Sequence, residues 1–132
     1  MGAVNPSVFT LDSNILISYL NDDPKIAEQL LKWHADNEHF FISVITEIEI
    51  LSLPRLTDEE LSRMQKFLRE FTIISIDSQL GRIASEIRRR CRLTLGDSII
   101  VATAQLTNSI LITQDKEIIQ KAKNLVRLQS IL

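Results

Sequence analysis

Val8-Phe9-Thr10-Leu11-Asp12-Ser13-Asn14-Ile15-Leu16-Ile17 is the stretch whose reading decides the fold. Val8 to Leu11 is a short apolar run of strand character, and Ile15, Leu16, Tyr19 and Leu20 then recur at helical spacing. The polar trio Asp12-Ser13-Asn14 falls at the changeover. In an open α/β sheet that changeover is the carboxyl edge of a strand, where folds of this kind bind their ligands. An acid there faces a crevice rather than bulk surface.

Outward from that turn the chain alternates. Asn21-Asp22-Asp23-Pro24 ends the first helix and begins a second, with Asp23 as N-cap and Pro24 at the first helical position. Ile26, Ala27, Leu30, Leu31 and His34 mark its apolar face. Phe40 to Val44 is a continuous apolar run, as expected of a strand covered on both faces. Thr46-Glu47-Ile48-Glu49 has the form of a capping box opening a short helix that Pro54 terminates. Thr57-Asp58-Glu59-Glu60 is a second box, heading a helix with Leu61, Met64, Phe67, Leu68 and Phe71 at helical spacing. Thr72 to Ile76 is a β-branched strand, and Asp77-Ser78 caps a helix with Leu80, Ile83, Ala84, Ile87 and Cys91 on its buried stripe. Gly96-Asp97-Ser98 starts the most apolar helix, Ile99 to Leu106, which belongs in the core. A strand over Ile110 to Thr113 leads to Gln114-Asp115, followed by a helix over Lys116 to Lys123 and a last strand over Leu125 to Leu128. Strands alternating with such helices imply βαβ units. The expected fold is α/β, a three-layer sandwich around a mainly parallel sheet of about five strands, with residues 1–132 forming a single domain.

Composition narrows the function classes. A chain of 132 residues, 45% apolar and 24% charged, is ordinary for a soluble globular protein and long enough for one substantial core. The formal charge of −2 carries no overall footprint of a nucleic-acid binder, so any such role rests on a local patch. The single cysteine, Cys91, excludes an internal disulfide, fits a reducing cytosol and reads as a buried, inert thiol. No apolar run approaches the ~20 residues that span a bilayer, and residues 1–6 lack the basic-then-apolar pattern of a secretory signal. The expected location is the cytoplasm.

The chemistry lies in the carboxylates. Asp12 and Asp115 each follow a strand and precede a helix; Asp97 opens a buried helix, and Glu49 lies one turn into a helix that follows a strand. Acids so placed converge at one end of a parallel sheet. Clustered carboxylates repel, and burying them ionised without partners is costly. A divalent cation resolves this, and hard oxygen donors suit Mg²⁺ or Mn²⁺. No His or Cys shares these positions, which argues against zinc. Each acid alone also reads as a helix cap: Asp is a favoured N-cap, and Glu49 can be the reciprocal member of the Thr46 box. A capping carboxylate can still bind metal, so the inference rests on the set.

Four pieces, in order and covering nearly the whole chain, resemble the PIN domain, and within it the VapC-like toxin ribonucleases of prokaryotic toxin–antitoxin pairs. They are Leu11-Asp12-Ser13-Asn14-Ile15-Leu16; Ser43-Val44-Ile45-Thr46-Glu47-Ile48-Glu49-Ile50; Gly96-Asp97-Ser98-Ile99-Ile100-Val101-Ala102-Thr103-Ala104; and Leu111-Ile112-Thr113-Gln114-Asp115-Lys116. The resemblance implies an α/β/α sandwich and an endoribonuclease dependent on Mg²⁺ or Mn²⁺. The family's acids fall on Asp12, Glu49, Asp97 and Asp115, with Asn14 and Thr113 in support. Glu47 is a competing acid two residues from Glu49 and nearly opposite on a helix. The resemblance also implies a cognate antitoxin and a homodimer.

The expected reaction is metal-assisted phosphodiester hydrolysis, the cation activating water and offsetting phosphate charge. RNA near an acidic crevice needs basic help, and Arg82, Arg88, Arg89, Arg90 and Arg92 form the one strong basic cluster. Arg88 and Arg92 share a helical face, whereas Arg89 and Arg90 turn elsewhere. The cluster is a solvated helix surface or, at Arg88, Arg89 and Arg92, a contact for RNA phosphates or an acidic partner segment. Trp33 and His34 read as packing and rim residues. A housekeeping RNA-processing nuclease fits the same residues as well as a toxin does, and two other functions fit less well: a PIN-like module that binds without cutting, and a phosphotransfer enzyme with Asp12 as nucleophile. The binding module leaves costly clustered acids unexplained. The last usually has a second acid two residues on, where this chain has Asn14.

Overall fold

The computed structural model describes residues 7–131, and the quoted stretch lies at its centre. Strand β1 (Val8–Leu11) pairs in parallel on one side with β2 (His39–Ser43) and on the other with β4 (Ile110–Ile112). Beyond them β3 (Thr72–Ile74) pairs with β2 and β5 (Arg127–Gln129) with β4, giving the order β3-β2-β1-β4-β5, parallel throughout. The chain therefore starts in the middle, builds outward through β2 and β3, then crosses back to open the other half beside β1. Thr10 pairs with Leu111 and Leu11 with Ile112, so the carboxyl ends of β1 and β4 stand side by side at the point where the winding reverses.

Two cores cover the two faces. Phe9, Leu11, Ile42 and Ile112 pack with α1 (Ser13–Leu20), α2 (Pro24–Ala35), α3 (Val44–Leu51) and α4 (Asp58–Leu68), through Ile15, Leu16, Ile26, Trp33, Ile50 and Leu68. Trp33 stacks on Phe9 with ring centroids 4.5 Å apart. Leu111 on the other face packs with α5 (Ser78–Cys91), α6 (Leu95–Leu106) and α7 (Lys116–Lys121). Ile99 through Ala104 are all buried, so α6 is the core helix its composition implies. Among the described residues, no helix is long and apolar enough to cross a membrane.

Several boundaries differ from the sequence reading, each for a local reason. Helix α3 is capped by Ser43, whose hydroxyl accepts from Ile45 N at 3.1 Å, and not by Thr46. Thr46 is fully buried in the first turn, and its hydroxyl accepts from Ser13 Oγ at 3.1 Å. The Thr57–Glu60 capping box is present with both reciprocal bonds. Helix α6 is capped by Thr94, which accepts from Asp97 N at 3.2 Å, so Asp97 lies inside the first turn. Strand β3 stops at Ile74, leaving Ser75 and Ile76 exposed. Leu125 and Val126 are bent back, both amides donating to Ala122 O, so β5 begins only at Arg127. Leu31, placed on the apolar face of α2, is 65% exposed, and His34 beside it is exposed too.

Candidate active site

Asp12 follows the last residue of β1 and caps α1. Its carboxylate is held on both sides: Oδ1 accepts from Ser13 N at 2.7 Å, and Oδ2 accepts from Thr113 Oγ1 at 2.6 Å. Thr113, fully buried after β4, also accepts from Asp115 N at 3.0 Å. One hydroxyl thus joins the acid after β1 to the turn after β4. Asp115 caps α7, with Oδ1 accepting from Ile118 N at 3.1 Å.

The other two acids arrive from the flanking helices. An added Cβ at Gly96 would lie 3.8 Å from Glu49 Oε1, so the Glu49 carboxylate stands against the first turn of α6. That turn carries Asp97, whose amide is anchored on Thr94. Glu49 is not the reciprocal member of a Thr46 box, since Ser43 caps α3. Ser13 and Asp97 are its electrostatic neighbours.

The electrostatics agree with the geometry. Burial, joined by the charges of Asp97 and Asp115, pushes the Asp12 carboxyl up to about 6 against the pull of Thr113 and Ser13. Burial raises Asp97, with Asp115 and Glu117 adding repulsion and Thr94 opposing it. Burial also raises Glu49; the Ser13 hydroxyl lowers it and Asp97 raises it. That hydroxyl has one proton and here donates it to Thr46, so serving Glu49 requires it to rotate. Asp12, Asp97, Asp115 and Glu49 form one electrostatic group centred on Asp97. Among the described residues, no three His, Cys, Asp or Glu side chains are close enough to enclose a metal on their own. That does not conflict with Mg²⁺, which keeps several waters and commonly takes only one or two carboxylates.

Asn14 lies one residue into α1 with its Oδ1 buried and unpartnered. The basic cluster is split. Arg90 pairs with Glu86 at 2.8 Å, and Arg82 donates to Ser78 Oγ at 3.2 Å. Arg88 and Arg89 are exposed and line a groove with Ile76 and Leu95. Arg92 does not share the helical face of Arg88: it ends α5 in a left-handed conformation. An apolar groove of about 530 Å³, lined by Tyr19, Leu30, Phe40, Phe67 and Phe71 among others, includes none of the four acids.

Sequence reasoning missed four supporting groups. Ser13 and Thr46 carry no signal of their own, because small hydroxyls at helix starts are common caps. Thr94 stands three residues before Asp97, which is capping spacing and could have been read. Glu117, two residues past Asp115, adds a fifth charge within reach of Asp97.

In open α/β sheets ligands bind beyond the carboxyl ends of the strands where the winding reverses, and Asp12 and the turn to Asp115 lie there. Residues 9–124 match the family model for the PIN domain, and the chain belongs to that family, whose members are nucleases. Its fold is VapC-like. A toxin–antitoxin complex from Klebsiella pneumoniae contains a similar chain, with a TM-score of 0.78 and 26% identity over 96% of this chain and 98% of that one. VapBC2 of Rickettsia felis, bound to a DNA fragment from its promoter, gives 0.77 and 22%, covering 93% and 98%. DNA-bound VapBC from Salmonella typhimurium gives 0.78 and 18%, covering 96% and 99%. Among curated proteins, none matches.

Proposed function

We propose that this protein is a divalent-metal-dependent endoribonuclease, the toxin of a toxin–antitoxin pair, working as a cytoplasmic homodimer under a cognate antitoxin. The observation that carries the reading is Asp12: a buried carboxylate, held by Thr113, with the charges of Asp97 and Asp115 directed at it. A protein gains nothing in stability from such an arrangement unless a cation or proton offsets it. That similar chains occur in toxin–antitoxin complexes supports the antitoxin partner.

Asp12, Asp97 and Asp115 would hold Mg²⁺ or Mn²⁺, their oxygens being the hard donors these ions take. When bound, the ion supplies Lewis-acid stabilisation of the phosphate and makes water a competent nucleophile near neutral pH. Thr113 keeps Asp12 oriented and shifted toward its ionised form. Glu49, on the far side of Gly96, is set to accept a proton from water or to hold it in line. Asn14, two residues past Asp12, brings a buried Oδ1 that has no partner within the protein. Arg88, Arg89 and Arg92 are the cations available for RNA phosphates.

The test is cleavage of mixed single-stranded and structured RNAs with Mg²⁺ or Mn²⁺, comparing wild type with Asp97→Asn. The expected result is cutting by wild type, arrest by EDTA and loss of at least about a hundredfold in the variant, the upper end of what losing even an outer partner of a metal ligand costs. Equal cutting by both proteins would remove Asp97 from the site. Sedimentation of the purified chain reads the homodimer.

A further inference from the structure

The two junctions that present Asp97 and Asp115 come from different helices, and one side chain touches both. Lys121 Nζ lies 2.6 Å from Glu117 Oε2, within α7, and donates to the carbonyl of Arg92 at 3.3 Å. Arg92 is where α5 ends, in a left-handed conformation with φ 55° and ψ 39°, leaving a terminal carbonyl without a helical partner. Leu93, 4% exposed, anchors the next residue, and Thr94 then caps α6, whose first turn carries Asp97. On the other side, Glu117 is two residues beyond Asp115.

We infer that Lys121 is a positioning residue, tying the α5–α6 junction that presents Asp97 to the helix start that presents Asp115. The inference rests on the nuclease reading for its purpose and on the two contacts for its substance. The other ion pair among the described residues, Arg90–Glu86, has side chains 71% and 51% exposed and stays on one helix, where such pairs contribute little. The Lys121–Glu117 pair is also within one helix, with side chains 34% and 62% exposed, and what sets Lys121 apart is its second bond, to the Arg92 carbonyl of another element. Its ammonium also holds the Glu117 carboxylate, an acid within electrostatic reach of Asp97. Helix α7 is only six residues long, with Ile118 its one buried residue, so it has few other anchors. A tether there alters the spacing of two carboxylates without touching either.

The experiment compares wild type, Lys121→Met and Lys121→Arg by amide hydrogen exchange without metal, by calorimetric Mn²⁺ binding and by RNA cleavage. Met keeps the stem and loses the donors; Arg keeps the charge and the donors. Lys121→Met is expected to speed exchange over residues 92–97 and 115–121, and to weaken Mn²⁺ binding by about tenfold, the lower end for groups that orient metal ligands. In the same variant kcat falls while KM for RNA holds. Lys121→Arg restores all three. Wild-type exchange and Mn²⁺ affinity in Lys121→Met would overturn the inference, as would weaker binding with unchanged exchange, which is an effect of charge alone. A wild-type protein that neither binds Mn²⁺ nor cuts RNA overturns the nuclease reading instead. In that case the exchange arm still decides whether Lys121 ties the junctions.

Discussion

Asp12 is a carboxylate whose environment opposes its own charge. Its folded value of about 6 lies above the ordinary 3.8, so the folded state binds this proton the more tightly. Asp12 therefore contributes stability that is fully present below about pH 4, lost as pH rises through about 6, and absent above it. The span is about 2 pKa units, or about 3 kcal/mol for a group this deeply buried. Asp12→Asn is then expected to raise the melting temperature of the metal-free protein at pH 8, and to leave it nearly unchanged at pH 4; paired thermal melts read this. An unchanged melt at pH 8 would show that Asp12 is not strained by its charge. Thr113→Val removes the hydroxyl that holds Asp12 ionised and leaves a buried carboxylate short of a donor, at a cost of about 1–3 kcal/mol above pH 6. The acid limb of the pH–activity profile should move upward in that variant and return in Thr113→Ser. Asp12 and Asp115 were legible as site candidates because strand-to-helix changeovers are written in sequence, and Asp97 because it opens the most apolar helix. Thr113's double bond to both halves of the centre depends on β1 and β4 being neighbours, which no local pattern states.

At the scale of elements, the reading succeeded where a cap and a period agree. The Thr57–Glu60 box, the Asp77 cap and the apolar run of α6 all stand as their residues suggest. It failed where two capping residues compete. Ser43 and Thr46 both qualify, and burial decided: Thr46 turns inward to meet Ser13, which leaves the helix start to Ser43. The final strand slipped because Leu125 and Val126 are apolar and β-compatible, yet a turn onto Ala122 satisfies their amides first. A glycine in α5 makes a test of element energetics. Gly81 lies inside the helix, and an added Cβ there meets nothing within 4 Å. Gly81→Ala should stabilise the protein by about 0.5–1 kcal/mol, measured by denaturant midpoint with an unchanged slope, since Ala loses less backbone entropy in a helix. A lower midpoint would mean that α5 is less regular than its hydrogen bonds suggest.

At the scale of the whole molecule, the alternation of strands and helices revealed a parallel sheet but not its order. The sequence of elements would be the same had the chain wound in one direction only, and the acids would then have been scattered along an edge. Because the winding reverses at β1, Asp12 and Asp115 fall on adjacent strands. A cation bound there should stabilise the fold by mass action, by about 2.7 kcal/mol at a hundredfold excess over its dissociation constant. Its effect should be larger at pH 8 than at pH 5, where Asp12 keeps its proton, and EDTA should reverse it. Melts with and without Mn²⁺ at the two pH values check this, and equal shifts would exclude Asp12 from the binding group.

The strand order also bears on timing during synthesis. The four acids are spread over residues 12, 49, 97 and 115, and the strand leading to the last of them is the one that docks on the open side of β1. A ribosome that has released only the first hundred residues has made three of the four groups and no place for the fourth. Termination before residue 110 therefore removes β4, and with it Thr113 and Asp115 from beside Asp12.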